Sequence, residues 1–387
     1  MELSVIILSY NVRPYVWQCI DSVLAATQGI TAEIILVDND SQDDTIDLIS
    51  KEFPQVKLLP NSENIGFAKA YNQAVKQAQG AYICILNPDT VLGETVFKSI
   101  LKMLKGQDQI GAVGTQFIDG RGCFLPECKR VVPTPWGSLK KLLGFANQKS
   151  VYYQDDLERT QEGYAAILAG AFLFIKKEDY LSVGGFDEHY FMFGEDIDFS
   201  YKLLKNGKKN YYLGGQTILH YKGESTQKNR QYLERFYGAM VHFYKTHFSE
   251  SKINVFAVSL LAQLLIWWRG LLPVIKNKSQ YAVESVLWVS EANRPEDTVA
   301  NWMQKKARLG DKSTFEVQTP EQYLMNQSQK ALVVFDRGTL SYGKIIELMT
   351  FGASNGQFFR IWHRDKNLLV GSDSSDAHGE ALILRSE

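Results

Sequence analysis

The chain has 387 residues, which at roughly 150 residues per domain corresponds to two or three domains. Hydrophobic residues make up 45% and charged residues 22% of the chain, which excludes collagen-like, low-complexity and wholly disordered proteins. The net charge of −1 argues against nucleic-acid binding through overall charge. The sequence contains four cysteines, too few and too scattered for a disulfide framework, which favours a reducing compartment.

Residues 1–120 alternate short apolar runs with helical patterns. The predicted strands are 4–8, 33–37, 56–59 and 81–86, and the predicted helices are 12–26, 44–52, 66–79 and 94–104. Because the opening strand lacks the basic region and the cleavage site of a signal peptide, we expect a cytoplasmic protein. The alternation predicts an α/β fold with a mostly parallel sheet covered by helices on both faces. Ligands of such sheets bind beyond the carboxyl ends of the strands.

Residues 110–247 have a different character, in which strand-like pieces are mixed with glycine-rich turns. The strand-like pieces are 112–117, 169–175 and 217–219. Residues 199–247 carry nine basic and two acidic side chains, whereas residues 1–120 carry eight basic and fourteen acidic ones. A basic stretch opposite an acidic one suits an anionic ligand, although a solvated helix face has the same composition.

Residues 253–275 are almost continuously apolar and predict a helix. At 1.5 Å per residue this helix would be about 34 Å long, which is enough to span a bilayer. Arg269, Pro273 and the Trp267-Trp268 pair favour contact with the membrane interface instead of a simple crossing. A buried helix that packs two domains together is the alternative.

Residues 281–387 return to an α/β rhythm. The predicted strands are 285–290, 331–335, 358–362 and 368–370, and the predicted helices are 296–306 and 343–351. No glycine follows the first of these strands, so the phosphate-binding turn of a dinucleotide-binding fold is missing. We expect a small, degenerate Rossmann-like domain that has no catalytic role and docks a partner or a second subunit. The predicted division is therefore 1–250 for a catalytic domain, 251–280 for an apolar helical segment and 281–387 for this domain.

Polar segments follow the first four predicted strands, where a ligand would bind. They are Ser9-Tyr10-Asn11, Asp38-Asn39-Asp40-Ser41, the segment from Asn64 to Asn72 with Gly66 and Phe67, and Asn87-Pro88-Asp89-Thr90. Carboxylates after the second and fourth strands would converge on one crevice, and such hard oxygen ligands suit Mg²⁺ or Mn²⁺ bound to phosphate. Either segment alone is as well explained by a turn or a helix N-cap, but the two together weaken that explanation.

A second acidic cluster lies close to residue 195. Glu195, Asp196 and Asp198 fall within four residues and are flanked by aromatic side chains. Desolvation and mutual repulsion raise the pKa of at least one such carboxyl, which suits a general base. The alternative is an acidic first turn of a helix, which the helix dipole favours, and the two explanations are compatible. His220 follows a strand-like piece and is either structural or a metal ligand.

Together these motifs resemble those of family-2 inverting glycosyltransferases of the GT-A fold, in particular the bacterial rhamnosyltransferase-like branch. The resemblance covers about residues 3–247. It rests on the four strand-end segments, on Gly184-Gly185-Phe186-Asp187, on Gly194-Glu195-Asp196-Ile197-Asp198, and on His220 with Gly223 and Ser225. Each motif alone is weak, whereas the set in this order and spacing is specific.

The resemblance implies a role for each position. Asp38 would bind the nucleobase or ribose of a nucleotide-diphosphate-sugar donor, with further substrate contacts from Ser9, Tyr10, Asn11, Asp40, Gly66, Phe67, Asn72 and Asp198. Asp89 and His220 would hold a divalent metal, Mg²⁺ or Mn²⁺, on the diphosphate, although Asn87 stands where the family's DXD pattern has its first carboxylate. Asp196 would be the catalytic base, with Glu195 beside it.

The implied reaction is the inverting transfer of a single sugar to a hydroxyl of a glycan or lipid-linked acceptor in cell-surface polysaccharide synthesis, with rhamnose favoured by the branch. The Gln-x-x-Arg-Trp motif of processive members does not occur in the sequence. The resemblance also implies a cytoplasmic enzyme, peripheral to the inner face of the cell membrane.

Two other functions stay open from the sequence. A nucleotidyltransferase shares the α/β core and the metal carboxylates, but usually has a glycine-rich basic loop after the first strand, where residues 9–14 contain no glycine. A catalytically inactive sugar-nucleotide-binding scaffold is the second alternative, and the intact Asp38, Asp89 and Asp196 argue against it.

Overall fold

Two β-sheets with helices packed against them make up the described part of the chain. The computed structural model describes residues 1–134, 153–224, 230–248, 252–270, 285–292, 295–308, 314–325, 330–374 and 378–384. Ser225 and residues 271–280, on which part of the sequence-based prediction rests, lie outside the described residues.

The first sheet has nine strands within the described ranges, and its helices alternate with its strands as predicted. In chain order the elements are β1 (Leu3–Ser9), α1 (Arg13–Ala26), β2 (Ala32–Asp38), α2 (Thr45–Glu52), β3 (Lys57–Pro60), α3 (Phe67–Gln77), β4 (Tyr82–Leu86), β5 (Thr90–Val91), α4 (Val96–Leu104), β6 (Ile110–Ile118), β7 (Lys129–Arg130), β8 (Gly163–Tyr164), β9 (Ile167–Leu168), β10 (Phe172–Lys176), α5 (Lys177–Ser182), α6 (Glu195–Lys205) and β11 (Lys209–His220). The strand order is β3-β2-β1-β4-β10-β6-β11-β5, with β8 beside β11, while β7 and β9 form a separate ribbon.

The parallel half of this sheet sets the position of the candidate site. Strand β1 is almost entirely apolar and buried, as expected of a central strand that is covered on both faces. Its parallel register with β2 pairs Ser9 with Asp38, so that the two strands end at the same level. Strand β11 runs antiparallel to the short β5 and pairs His220 with Thr90, which brings His220 beside Asp89. Residues that are far apart in the sequence thus meet at one edge.

Two helices follow the first sheet and pack against each other. They are α7 (Arg230–His247) and α8 (Lys252–Gly270). Helix α8 is the apolar helix that the sequence predicts, and Leu233 and Tyr237 of α7 share a buried cluster with Ala262 and Leu265 of α8. None of the helices in the described part of the chain has both the length and the apolar character needed to cross a bilayer.

The second sheet has six strands in the described residues, in the order β13-β12-β14-β15-β16-β17. Its elements are β12 (Ser285–Val289), α9 (Asp297–Arg308), β13 (Thr314–Gln318), α10 (Pro320–Met325), β14 (Ala331–Asp336), α11 (Tyr342–Gly352), β15 (Phe358–His363), β16 (Leu368–Gly371) and β17 (Glu380–Ile383). The first four strands in that order are parallel and the last two pairings are antiparallel. A second α/β unit, as predicted, is therefore present.

The second unit is packed directly on the first. The Glu94 carboxylate accepts hydrogen bonds from the backbone N–H groups of Tyr342 and Gly343 at 2.8 and 2.9 Å, which satisfies the N-terminus of α11. The Gln18 amide nitrogen lies 2.9 Å from Nε2 of the buried His363. One continuous apolar core includes residues of both sheets. The division at residues 250 and 280 stays a prediction.

Candidate active site

A cavity of about 430 Å³ opens beyond the carboxyl ends of β1, β2 and β4. Seven of the predicted site residues line it, namely Tyr10, Gly66, Phe67, Asp89, Glu195, Asp196 and His220. The other six predicted residues, Ser9, Asn11, Asp38, Asp40, Asn72 and Asp198, are not among the lining residues. Motifs as far apart in the sequence as Tyr10 and His220 thus contribute to one cavity of the size expected for a small-molecule ligand.

The ends of β1 and β2 are linked to each other by polar contacts. The Asp38 carboxylate accepts a hydrogen bond from the backbone N–H of Ser41 at 2.8 Å, and burial raises the pKa of this carboxyl. Asn11 completes the link, because its backbone N–H donates to the Ser41 hydroxyl at 2.9 Å and its side-chain oxygen accepts from Gln42. Asn11 and Asp40 both adopt positive φ angles, which their short polar side chains tolerate. These contacts fix the two loops that carry the cavity residues Tyr10 and Asn39.

Gly66 marks a close approach between the start of α3 and the loop before α6. Its φ is +84°, and a Cβ atom there would lie 2.7 Å from the Phe191 carbonyl oxygen. The same carbonyl accepts a hydrogen bond from Phe67 N–H at 2.7 Å. The structure therefore gives a reason for glycine that the sequence did not supply, since the nearest neighbour is protein backbone.

Asn72 is fully engaged with the loop that precedes α6. Its amide nitrogen donates to the Phe186 carbonyl at 2.9 Å and to Glu188 at 3.0 Å, and its oxygen accepts from the Tyr180 hydroxyl at 2.6 Å. These contacts hold the Gly184–Glu188 segment in place. The predicted substrate contact of Asn72 stays a prediction, and the geometry indicates a positioning role.

Asp89 and His220 form the candidate metal end of the cavity. Both are buried, and an Asp89 carboxylate oxygen lies 3.4 Å from His220 Nε2. The Asn87 amide nitrogen lies 3.5 Å from the same imidazole nitrogen. His220 Nδ1 is buried and has no hydrogen-bond partner among the described residues. A carboxylate oxygen and an imidazole nitrogen at a cavity wall are a donor set that fits a divalent cation.

Glu195 and Asp196 open α6 at the other side of the cavity. One Asp196 oxygen accepts hydrogen bonds from Arg130 Nη2 at 2.5 Å and Gly170 N–H at 3.0 Å, and the second accepts from Ile197 N–H at 2.8 Å. Burial and the neighbouring Asp196 charge raise the pKa of Glu195 to about 8. The Arg130 guanidinium therefore holds the Asp196 carboxylate in place, whereas Glu195 keeps its proton up to near-neutral pH.

Replacing Glu195 with Gln should make stability less dependent on pH. The Glu195 pKa rises from 4.5 to about 8 on folding, so the stabilisation by its proton is complete below pH 4.5 and is lost as pH rises to 8. We expect the parent to lose on the order of 3 kcal/mol more stability than Glu195→Gln between pH 5 and 9. Urea unfolding at both pH values measures this difference. If the free energy of unfolding changed equally with pH in the two proteins, the pKa of Glu195 would not be raised by folding.

Asp198 points away from the cavity. Its carboxylate pairs with His247 Nε2 at 2.6 Å and with Lys202 Nζ at 3.1 Å, and the side chain is almost completely buried. These contacts join α6 to the end of α7. A direct substrate contact from Asp198 stays an untested prediction that this geometry does not favour.

The loop after β11 adds charges that the sequence patterns do not reveal. Lys222 lines the cavity, has a positive φ and forms an ion pair with Glu127. Both oxygens of the buried Glu224 accept a hydrogen bond from Gly379 N–H at 2.9 Å, and burial raises the pKa of Glu224 to about 7. The second α/β unit thus contacts the loop that follows His220.

Arg130 is the most important cavity residue that the sequence analysis missed. It lies in β7, and its contact with Asp196 joins positions that are 66 residues apart. No local motif surrounds it. The basic Lys129-Arg130 pair is the only local signal, and it does not distinguish a site residue from a surface residue.

A second group of metal-type donors lies outside this cavity. Asp187, His189 and His242 place one donor atom each within 4.8 Å of one another. Each imidazole contacts the Asp187 carboxylate at 2.8 Å, so the group links the loop before α6 to α7.

The fold and the cavity are those expected of a glycosyltransferase of the GT-A type, as the motifs predict. Residues 4–178 match the family model described as glycosyl transferase family 2. The N-terminal part of the chain is therefore a domain of this family, and the predicted enzyme class is confirmed.

Several characterised proteins are similar to this chain. The N-acetylglucosaminyl-diphospho-decaprenol L-rhamnosyltransferase of Mycobacterium tuberculosis is 27% identical over 241 residues, which are 59% of this chain and 78% of that protein. The poly-beta-1,6-N-acetyl-D-glucosamine synthase of Staphylococcus aureus is 26% identical over 213 residues, or 54% of this chain and 47% of that protein. A Pyrobaculum calidifontis mannosyltransferase, solved with GDP-Man and Mn²⁺, has a TM-score of 0.46 at 17% identity and covers 70% of this chain and 72% of that one.

Proposed function

We propose that the protein transfers one sugar from a nucleotide-diphosphate donor to a hydroxyl of a lipid-linked glycan acceptor, with inversion at the anomeric carbon. The observation that carries this proposal is the single cavity that has metal-type donors at one side and a carboxyl pair at the other. The similar rhamnosyltransferase from M. tuberculosis supports L-rhamnose as the sugar and a lipid-linked N-acetylglucosamine as the acceptor.

Each cavity residue has a separate role in this single-displacement reaction. Asp196 accepts the proton of the acceptor hydroxyl as that oxygen attacks the anomeric carbon from the face opposite the diphosphate. Arg130 and the Gly170 N–H fix the Asp196 carboxylate in one orientation. Lys222, at the cavity wall, adds positive charge near a departing diphosphate. Asp89 and His220 would hold a divalent cation, which when bound neutralises charge on the leaving group.

The proposal is tested by incubating the purified protein with Mn²⁺ and dTDP-rhamnose, UDP-N-acetylglucosamine or GDP-mannose, with and without a short-chain lipid-linked acceptor. We expect one donor to give a product that gains a single sugar by mass spectrometry, with inverted anomeric configuration by NMR. Release of pyrophosphate from a sugar phosphate and a nucleoside triphosphate would identify a nucleotidyltransferase instead. Binding of a donor without turnover under all these conditions would identify an inactive scaffold.

We further propose that the enzyme works at the inner face of the cell membrane. A lipid-linked acceptor is available only at a membrane surface, and the Trp267-Trp268 pair of α8 is of the kind found at membrane interfaces.

A further inference from the structure

Helix α8 is apolar on two opposite faces. Its inner face, with Val258, Ala262 and Leu265, is buried. Its outer face presents large apolar side chains that are between 48% and 69% exposed, namely Phe256, Leu260, Leu264 and Trp267. Their spacing of four, four and three residues places them within an arc of about 80°, at 100° per residue. Four large apolar side chains exposed together on one helix face form the kind of apolar patch that marks an interaction surface.

The outer face is long and lies in a stretch free of negative charge. From Phe256 to Trp267 it extends about 16 Å along the helix. Residues 252–283 contain four basic residues and no Asp or Glu; the basic residues are Lys252, Arg269, Lys276 and Lys278. A row of apolar side chains with a tryptophan at one end, in a segment whose charged residues are all basic, suits the surface of an anionic bilayer.

Aromatic residues connect this helix pair to the cavity. Phe193 and Tyr232 line the cavity, and their rings are 5.0 Å apart. The ring of Phe236, which is 40% exposed, stacks on Tyr232 at 6.2 Å. Tyr232 and Phe236 lie in the first two turns of α7, and Leu233 between them packs in one cluster with Leu261 and Ile266 of α8. The first turns of α7, which carry the cavity residue Tyr232, therefore pack against the part of α8 that contains Leu261 and Ile266.

We propose that the outer face of α8 seats on an anionic membrane surface, so that the cavity mouth faces the lipid headgroups and receives its acceptor from them. This inference rests on the proposed lipid-linked acceptor. A second copy of the chain fits this face less well, because a symmetric interface would bring the same basic stretch of both chains together. The aromatic residues at the mouth then form the passage between the bilayer surface and Asp196.

Vesicle binding of the full chain tests the proposal. The double variant Leu264→Glu/Trp267→Glu adds two charges to the outer face, and the matched control Leu181→Glu/Ile383→Glu changes two apolar residues that are 54% and 61% exposed elsewhere. We expect the parent and the control to co-sediment with phosphatidylglycerol-containing vesicles, more weakly at high salt. The outer-face variant should bind at least about tenfold less tightly, since burial of two large apolar side chains is lost. Circular dichroism melting verifies that all three proteins fold.

Two readouts separate this inference from the proposed function. Donor hydrolysis without acceptor should be equal in the parent, the control and the outer-face variant, because the cavity residues are unchanged. If none of the three proteins hydrolysed a donor, the proposed function would be contradicted. Vesicle binding would still test the membrane inference. Equal vesicle binding by the parent and the outer-face variant would overturn the membrane inference. So would sedimentation showing that the parent is a dimer and the outer-face variant a monomer, since a second copy would then occupy the face.

Discussion

Replacement of Asp196 by Asn is expected to lower the rate of sugar transfer at least about 10²-fold, which is the lower range for removal of a general base. The amide has the size of the carboxylate and still accepts from Arg130, yet it cannot take up a proton. Donor affinity should change little, because the metal-type donors Asp89 and His220 are untouched. Single-turnover transfer rates and calorimetric donor binding, measured on the same preparation, check both parts.

Two neighbouring variants make this result interpretable. Asp198→Asn is the matched control on the same helix, where the carboxylate contacts His247 and Lys202 instead of the cavity. It should lower stability more than it lowers the rate of transfer at a temperature where the protein is folded. If Asp196→Asn retained near-normal turnover while Glu195→Gln lost it, the base would be Glu195, whose raised pKa of about 8 already marks it as a proton carrier.

Replacement of Asp89 by Ala is expected to abolish metal-dependent binding of the donor nucleotide. Among the described lining residues, Asp89 and Glu127 supply the carboxylates at the metal end of the cavity. Glu127 is paired with Lys222, which leaves Asp89 as the carboxylate available to a cation. Without it the hard-cation affinity of His220 and Asn87 should fall at least about 10²-fold, because carboxylate oxygens dominate Mg²⁺ and Mn²⁺ binding. Thermal shifts with a nucleoside diphosphate, with and without Mn²⁺, measure the loss.

A substitution at the neighbouring Asn87 should change the metal affinity in the opposite direction. Asn87→Asp restores the first carboxylate of the DXD pattern beside His220, whose Nε2 lies 3.5 Å from the Asn87 amide. It should tighten Mn²⁺ binding, provided that the two carboxylates share the cation and so avoid repulsion. Full activity of the parent in excess chelator would contradict the metal assignment altogether.

Much of the fold and the chemistry of the cavity follow from local sequence signals. Central strands such as β1 and β4 are near-continuous apolar runs, and polar residues at their carboxyl ends necessarily face the ligand edge of a parallel sheet. In the described part of the second sheet, two strands were not predicted. Thr314–Gln318 and Glu380–Ile383 lie at the two edges of the second sheet, where polar residues interrupt the apolar run.

The sequence predicts less well those site residues whose role depends on which way the side chain points, or on contacts between distant parts of the chain. Asp196 and Asp198 are two positions apart on α6, so their side chains project about 160° apart around the helix axis and only one can face the cavity. Asn72 lies on α3 at a point that faces the Gly184–Glu188 segment. Arg130 reaches Asp196 across the fold from a two-residue strand, a contact for which sequence spacing carries no signal.

The contact between Glu224 and Gly379 has a consequence for the order of events during synthesis. Glu224 lies in the loop that follows His220, and its partner is 155 residues later in the chain. Domains generally fold from the N-terminus as the chain emerges from the ribosome, so the first sheet can form well before residue 379 exists. The nascent chain would then have the first sheet and its cavity edge formed while the Lys222 loop still lacks the contact with Gly379. The loop that carries Lys222 and Glu224 would therefore gain this contact only late in synthesis.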